Sequence, residues 1–450
     1  MLAHRHTPDL PRSTEVLSCR VHHRPGEIVA AVSIENRAQL VYLLTEAAEL
    51  EHNVLCSYLF ADFSMKQDAT ESLTADQLTV VVGWRSTIRL IAQQEMLHLA
   101  SACNLLTAVG GAPQLRRPNL PTSPRAYPSA FQLRFVPFGM EAVEQFIFLE
   151  RPASLEPEPG ARAPGALPSF GNLTDIFSSE RDYKTLGQLY RGIEDGLKYL
   201  TQKYGQEGLF VGRRAAQSDA RYFGMPGLTA VHDLDSALEA VNIIIEQGEG
   251  ASLDEENSHY KRFLRIRDEY RELLAADPGF VPGRPVLTNP YAVLPSDLAA
   301  ASDVSLVDSG LSRDACNLFD GCYELMVQVL GRLFVHAEEG EDELKALADT
   351  AVELMLDVIE PLGCAITLLP AGPSHPGLNA GPGFRLSRGA SIPTHGEAAR
   401  FVFHERLSEL SAYCRFLQSQ AGAPQALKPV GDALMRFSAT LVKVGVKPTR

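Results

Sequence analysis

Two histidines and several glutamates fall where apolar helix faces should run unbroken. Glu51 lies seven residues after Leu44 and seven before Tyr58, so it sits on an apolar face. On the next segment Ile88, Ile91, Glu95, His98, Ala102 and Leu105 form one stripe. Glu95-Met-Leu-His98 therefore aims a carboxylate and an imidazole, three residues apart, at the same core. Further on, Glu194 shares a side with Leu186, Tyr190 and Leu197, while Glu249 shares one with Leu238, Val241 and Ile245, with Glu246 beside it. His259 follows a short insertion, and Glu256 precedes it at the spacing of the earlier pair. Because Glu256 lies in an acidic run with Asp254 and Glu255, which reads as a solvated loop, Glu246 or Glu249 is the expected partner of His259. A phase shift of one residue on the first helix would instead turn Glu46, Glu49 and His52 inward.

Burial turns this pattern into chemistry. An isolated carboxylate in an apolar core is costly, and several converging ones need cations to balance them. One arrangement that meets the need takes a Glu from each of two helices and a Glu-x-x-His from each of two others around two metal ions. Glu51, Glu95 with His98, Glu194, and the Glu/His set at 246–259 supply those residue types in the matching helix order. Carboxylate and imidazole donors suit iron, as one or two ions, or manganese, with open positions left for dioxygen or a small-molecule substrate. Tyr58 and Tyr190 are placed to hydrogen-bond the acids, although core packing is the ordinary role of each.

The elements that must position these groups are helical. Periodicity predicts a helix over about 36–60 and a second over 74–109, opened by a Thr74–Gln77 capping box and stopped at Gly110-Gly111. Residues 112–170 are rich in Pro and Gly and read as connection, apart from a short helix over 140–149. Helices resume over about 183–204 and 236–247, then restart as SHYKRFLRIRDEYRELL. A connection carrying Pro282, Pro285, Pro290 and Pro295 leads to helices over about 312–337, 341–362, 396–420 and 423–442. There is no fixed-period repeat and little period-2 strand text, so the fold class is all-α. The expected division is an irregular segment over 1–35, a bundle with the metal site over 36–275, and a C-terminal helical region over 276–450.

Bulk properties narrow the function classes. The 450 residues carry 41 Lys+Arg against 55 Asp+Glu, a formal charge of −14 without a basic tract, which argues against nucleic acid as a partner. With 45% hydrophobic and 21% charged residues the chain is globular. No run approaches the ~20 apolar residues of a membrane span, and MLAHRHTPDLPRS lacks the apolar core of a signal peptide. Seven scattered cysteines without a CxxC pair fit a reduced, cytoplasmic setting. No GxGxxG, Walker A or GxSxG motif is present in a supporting context.

The segments ELEHNVLCSYLF, QQEMLHLASACNLLTAVGGAPQL, VPFGMEAVEQFIFLERP, YKTLGQLYRGIEDGLKYL and VNIIIEQGEG…SHYKRFLRI resemble, in that order, the ferritin-like domain of the iminophenyl-pyruvate dimer synthase type. That domain occurs in the violacein, rebeccamycin and staurosporine pathway enzymes, which couple two oxidised tryptophan-derived units. The resemblance covers roughly residues 34–274, and AGPGFRL near Gly381 looks like a further family segment. It implies a ferritin-like four-helix bundle with an additional C-terminal helical region. It also implies a metal-dependent oxidoreductase, di-iron or iron/manganese, acting on a small amino-acid-derived amine or imine in natural-product biosynthesis. The metal positions carried over are Glu51, Glu95, His98, Glu194, Glu246 or Glu249, and His259. This chain departs from the pattern at Cys56-Ser57, where the family has a Pro pair, and at Gln94, where it has Glu. The family's pathway enzymes are also much longer. The expectation is therefore generic ferritin-like chemistry, not the dimerisation itself. The alternatives are a non-catalytic metal-binding ferritin-like protein and a haem-dependent oxidase using His336 or His404. The C-terminal third either shapes substrate access or forms a homodimer contact.

Overall fold

The computed structural model describes residues 32–123, 127, 132–152, 183–249, 256–294, 303–335, 339–387, 391, 393 and 395–444. Helix α1 spans Arg37–Ser64. The Asn36 side chain accepts from the Gln39 backbone N–H while the Gln39 side chain returns to Asn36, so two otherwise unpaired donors are satisfied at its start. Thr74 and Gln77 repeat this reciprocal cap at the start of α2, Ala75–Ala108. The first half continues with α3 (Met140–Leu149), α4 (Leu186–Tyr204), the single turns α5 (Gln206–Leu209) and α6 (Ala220–Phe223), α7 (Leu234–Ile244) and α8 (His259–Ala276). Helix α7 does not stop at Ile244 but widens into a π-helical turn over Ile245–Glu249. The second half holds α9 (Gly310–Phe334), α10 (Glu341–Leu354), α11 (Glu360–Ile366), α12 (Gly396–Gln418) and α13 (Leu427–Val444). Strand structure among the described residues amounts to a two-residue parallel pairing of Pro290–Tyr291 with Ser305–Leu306, plus isolated bridges.

The fold is all-α, and α1 is its hub. Helix α1 packs on α2 and α4 and, from another side, on α11; α3 packs on α8, and α7 and α8 both pack on α2. Every α1 residue from Leu50 to Ser64 except Leu59 is buried, so this helix has no solvent face over that stretch. The bundle core is continuous with that of the C-terminal helices, where α9 packs against α10 and α12, and α12 against α13.

One helix in the second half departs from the expected outline for a local reason. The run read as one helix over 341–362 is broken by a π-helical turn, Met355–Ile359, before α11. Pro361 follows at the start of α11; without an N–H it cannot complete the ladder one turn back, and the backbone loosens there. On α4, Gly192 and Gly196 face Val32 and Ile34: a Cβ at either position would stand 2.6 or 2.7 Å from those side chains. The pre-helical segment thus lies directly on the α4 backbone. Among the described residues no helix is long and apolar enough to cross a membrane. The six described cysteines are free thiols.

Candidate metal centre

Five side chains from four helices converge in the bundle core. Glu51 comes from the middle of α1, and Glu95 and His98 from one turn of α2. Glu150 is the residue that ends α3, and His259 is the first residue of α8, which Ser258 caps. All five are fully buried or within 1% of it. Their donor atoms form two groups compact enough to hold a cation each, Glu51/Glu95/His98 and Glu95/Glu150/His259, with Glu95 common to both.

The geometry divides Glu95 between the two groups. Its Oε2 lies 3.1 Å from His98 Nδ1, and its Oε1 lies 2.9 Å from His259 Nδ1. Glu51 Oε2 is 3.7 Å from His98 Nδ1, and Glu150 Oε1 is 3.4 Å from His259 Nδ1. The two imidazoles stack with centroids 5.6 Å apart. Both present Nδ1 to the acids and Nε2 outward. Gln247 Oε1 lies 3.3 Å from His98 Nε2, and Gln94 Oε1 lies 3.2 Å from His259 Nε2. An amide oxygen at Nε2 favours the tautomer with its proton there, which leaves the Nδ1 lone pair facing inward. Tyr190 donates its hydroxyl to Glu51 Oε1, and Tyr58 donates to Glu150 Oε1, so each outer carboxylate is held by a phenol.

The remaining atoms of the cluster are what a cation requires. Among the described residues Glu51 Oε2 and Glu150 Oε2 are buried without a hydrogen-bond partner, and Glu95 Oε1 and His259 Nδ1 face only each other and the neighbouring acids. Such groups are rare in native cores because each costs about 1–3 kcal/mol. In the metal-free protein protons balance part of the charge. Burial, reinforced by the neighbouring Glu95 carboxylate, pushes Glu51 up to about 8. Burial and the Glu95 charge also raise Glu150. Burial opposes the charged form of both histidines, but Glu95 and Glu51 lift His98 to about 10, and Glu150 and Glu95 lift His259 to about 9. Burial acts against Glu95 too, yet the two adjacent histidines hold it well below the usual carboxylate range. Metal uptake would replace these protons.

Gly248, on the π-turn, closes one side. A Cβ there would stand 3.2 Å from His259 Nδ1, 3.4 Å from His98 Cε1 and 3.5 Å from Glu150 Oε2. The absent side chain thus leaves a space beside three members of the cluster. π-turns inside helices recur at functional sites.

Of the residues singled out in the sequence, the structure brings Glu51, Glu95, His98 and His259 together. Glu194 stands apart. The buried stripe of α4 runs through Leu189, Tyr190, Ile193 and Leu197, and Glu194 lies at its edge, paired with Lys198 at 2.5 Å. Helix α4 reaches the cluster through Tyr190 instead. Glu246 is exposed on the π-turn, and the side chain of Glu249 lies outside the described residues. Glu256 precedes α8 with 73% of its side chain exposed, 3.7 Å from Lys261. The alternative set on α1 turns elsewhere: Glu46 accepts from Tyr183, Glu49 from Gln114, and His52 meets the Tyr323 hydroxyl. Of the haem candidates, His404 hydrogen-bonds Ser438 at 2.6 Å, and His336 is outside the described residues.

Glu150 is the residue the sequence reading passed over. The signal was there, since Val143, Phe146 and Glu150 follow one another at helical spacing in VEQFIFLE. The 10-residue length of α3, inside a Pro/Gly-rich stretch, concealed it.

The model of one family, described as ferritin-like, matches residues 44–268, the segment that contains all five converging side chains. Two curated relatives are similar over most of this chain. The 2-imino-3-(indol-3-yl)propanoate dimerase of Chromobacterium violaceum is 28% identical over 367 residues, covering 78% of this chain and 34% of its own. The dichlorochromopyrrolate synthase of Lentzea aerocolonigenes is 27% identical over 425 residues, covering 87% of this chain and 40% of its own. The chain therefore spans only about a third to two-fifths of the length of either relative. A solved ferritin-like protein from Caulobacter vibrioides is 19% identical with a TM-score of 0.44, over 73% of this chain and 96% of that one.

Proposed function

We infer that this chain, which belongs to the ferritin-like family, is a metal-dependent oxidoreductase of natural-product biosynthesis acting on a small amino-acid-derived amine or imine. The observation that carries the reading is the pair of buried triads that share Glu95, with Glu51 Oε2 and Glu150 Oε2 left without partners among the described residues. Three carboxylates and two imidazoles fit two cations of the iron or manganese class. Glu51, Glu95 and His98 would hold one, and Glu95, Glu150 and His259 the other. When bound, such a pair supplies redox change and Lewis acidity toward dioxygen or substrate.

The chain's own residues account for the rest. Tyr58 and Tyr190 fix the outer carboxylates in one orientation, and Gln94 and Gln247 fix the rings of His259 and His98. Groups held this way need no reorganisation during a reaction. Gly248 keeps room for a small ligand beside His259 and Glu150. Apolar packing around α1, including Val54 and Ala47, keeps bulk water from the acids. The substrate class is supported by the activities of the two curated relatives, one of which is a dimerase of an indolyl imino acid.

Metal analysis of freshly purified protein, paired with an absorption spectrum, tests the reading. Iron or manganese near two ions per chain, with no haem band, is the expected result. Full activity in metal-free protein, or a haem spectrum, overturns it. Oxygen consumption with aromatic amino acids or their imines separates an enzyme from an inert metal-binding member of the family.

A further inference from the structure

A groove of about 700 Å³ runs along the outer surface between α2 and α8. That volume is in the range of small-molecule sites, about 300–1,000 Å³. Trp84, Leu90 and Ile266 give its wall an apolar part, Glu269 and Glu272 line it at the far end of α8, and Arg262, with Arg265 one turn on, lines it at the end near His259. Trp84 is fixed by its indole N–H, which donates to Glu269 at 2.6 Å, and by ring contacts with Phe138, Tyr270 and Phe280.

Arg262 is the chemically conspicuous member. It is partly buried, and the influences on its charge are burial and the neighbouring Arg265 cation, with no carboxylate among them. Arg265 itself leans toward Glu256 at 4.0 Å. The Arg262 guanidinium instead donates to the amide oxygen of Gln94 at 3.4 Å, and the same oxygen lies 3.2 Å from His259 Nε2. A cation at the inner end of the groove, tied by one amide to a residue of the candidate metal cluster, is thus without a paired carboxylate among the described residues.

We propose that this groove binds a small aromatic carboxylic acid, its carboxylate on the Arg262 guanidinium and its ring along the Trp84, Leu90 and Ile266 wall. A planar guanidinium pairs with a carboxylate through two parallel hydrogen bonds, which a lone amide oxygen cannot match. Amino- and imino-acid substrates carry such a carboxylate, so the inference rests on the functional reading above and makes Arg262 its specificity-determining residue. Through Gln94, occupancy of the groove would bear on the orientation of the His259 ring.

Trp84 is the only tryptophan in the chain, so its fluorescence reports on the groove directly. The full-length protein is titrated with 3-phenylpropanoate and, separately, with phenethylamine, which lacks the carboxylate. The expected result is a saturable change with the acid, binding weakened about tenfold or more in Arg262→Gln, and an intermediate affinity in Arg262→Lys. Phenethylamine should bind more weakly than the acid in the native protein and equally in Arg262→Gln. No response to the acid, or equal affinity in native protein and Arg262→Gln, overturns the proposal. Should Arg262→Gln lose its helical circular dichroism, Arg262→Lys decides alone: native affinity for the acid in that variant counts against the planar pairing and overturns it. The titration needs no metal, so its outcome separates from that of the metal centre. Acid binding by protein that takes up no metal would sink the metal reading and leave this one standing.

Discussion

Glu95 sends its two carboxylate oxygens to different histidines, Oε2 toward His98 at 3.1 Å and Oε1 toward His259 at 2.9 Å. No other residue of the cluster belongs to both triads. Glu95→Gln should therefore remove both metal ions, while Glu51→Gln and Glu150→Gln should each weaken one. Metal content per chain, measured on protein with native circular dichroism, checks this. Two ions retained in Glu95→Gln would contradict a shared ligand.

The phenols make a second prediction. Tyr58→Phe and Tyr190→Phe each leave a buried carboxylate oxygen without its donor. An unsatisfied buried group costs about 1–3 kcal/mol, so each variant should lose about that much stability in urea unfolding of the metal-free protein. Metal retention should fall about 10- to 100-fold, as is usual when an outer partner of a ligand is removed. Unchanged values for both would mean that the hydroxyls do not hold the acids.

Gly248→Ala separates helix stability from site geometry. Alanine favours a helix over glycine by about 1 kcal/mol. Its Cβ, however, would meet His259 Nδ1 at 3.2 Å, a tight contact beside the cluster. The variant should keep its fold and melt no lower than the native protein when metal-free, yet bind a small exogenous anion such as azide much more weakly when loaded. Undiminished azide binding, followed by absorption of the ferric protein, would show that the space is not used.

Away from the candidate metal centre, Asp320 gives a pH signature. It accepts from the Arg385 backbone N–H at 3.1 Å, and burial pushes its carboxyl from 3.8 up to about 7. The folded state thus prefers the protonated acid. That contribution is full at pH below about 4 and is lost as pH rises through about 7. Asp320→Asn keeps an acceptor for Arg385 and cannot ionise. Its stability relative to the native chain should therefore improve between about pH 4 and pH 8. Urea midpoints at the two ends test the sign, and a gain confined to low pH would refute it.

The helices that carry the cluster were mostly legible because their signals are local. The Thr74–Gln77 cap and the long apolar stripe of α2 define that helix, and Glu95 and His98 interrupt its stripe visibly. On α1 the reading reached Glu51, but periodicity could not secure the phase. Neighbours cover that helix on all sides from Leu50 to Ser64, so polar residues on every face are buried and none marks solvent. Glu194 misled because it sits one position past Ile193, at the edge of the stripe rather than on it. His259 was recognised without its helical partner because it begins α8, and the residue three before it lies outside the helix in a turn. Glu150 was missed because a helix of only 10 residues among prolines gives little periodic text to read.

The enclosure of α1 has a practical consequence. The helix that carries Glu51 inward also carries His52 and Cys56 to the Tyr323 hydroxyl on α9, and Asp62 to Arg85 and Arg89, the latter shared with Glu360 on α11. A fragment ending after α8 would strip the cover from that second side and leave a polar strip bare. The candidate metal centre is thus unsuited to transplantation as a minimal bundle. Whoever wishes to redesign its ligands must carry the C-terminal helices along as part of the scaffold.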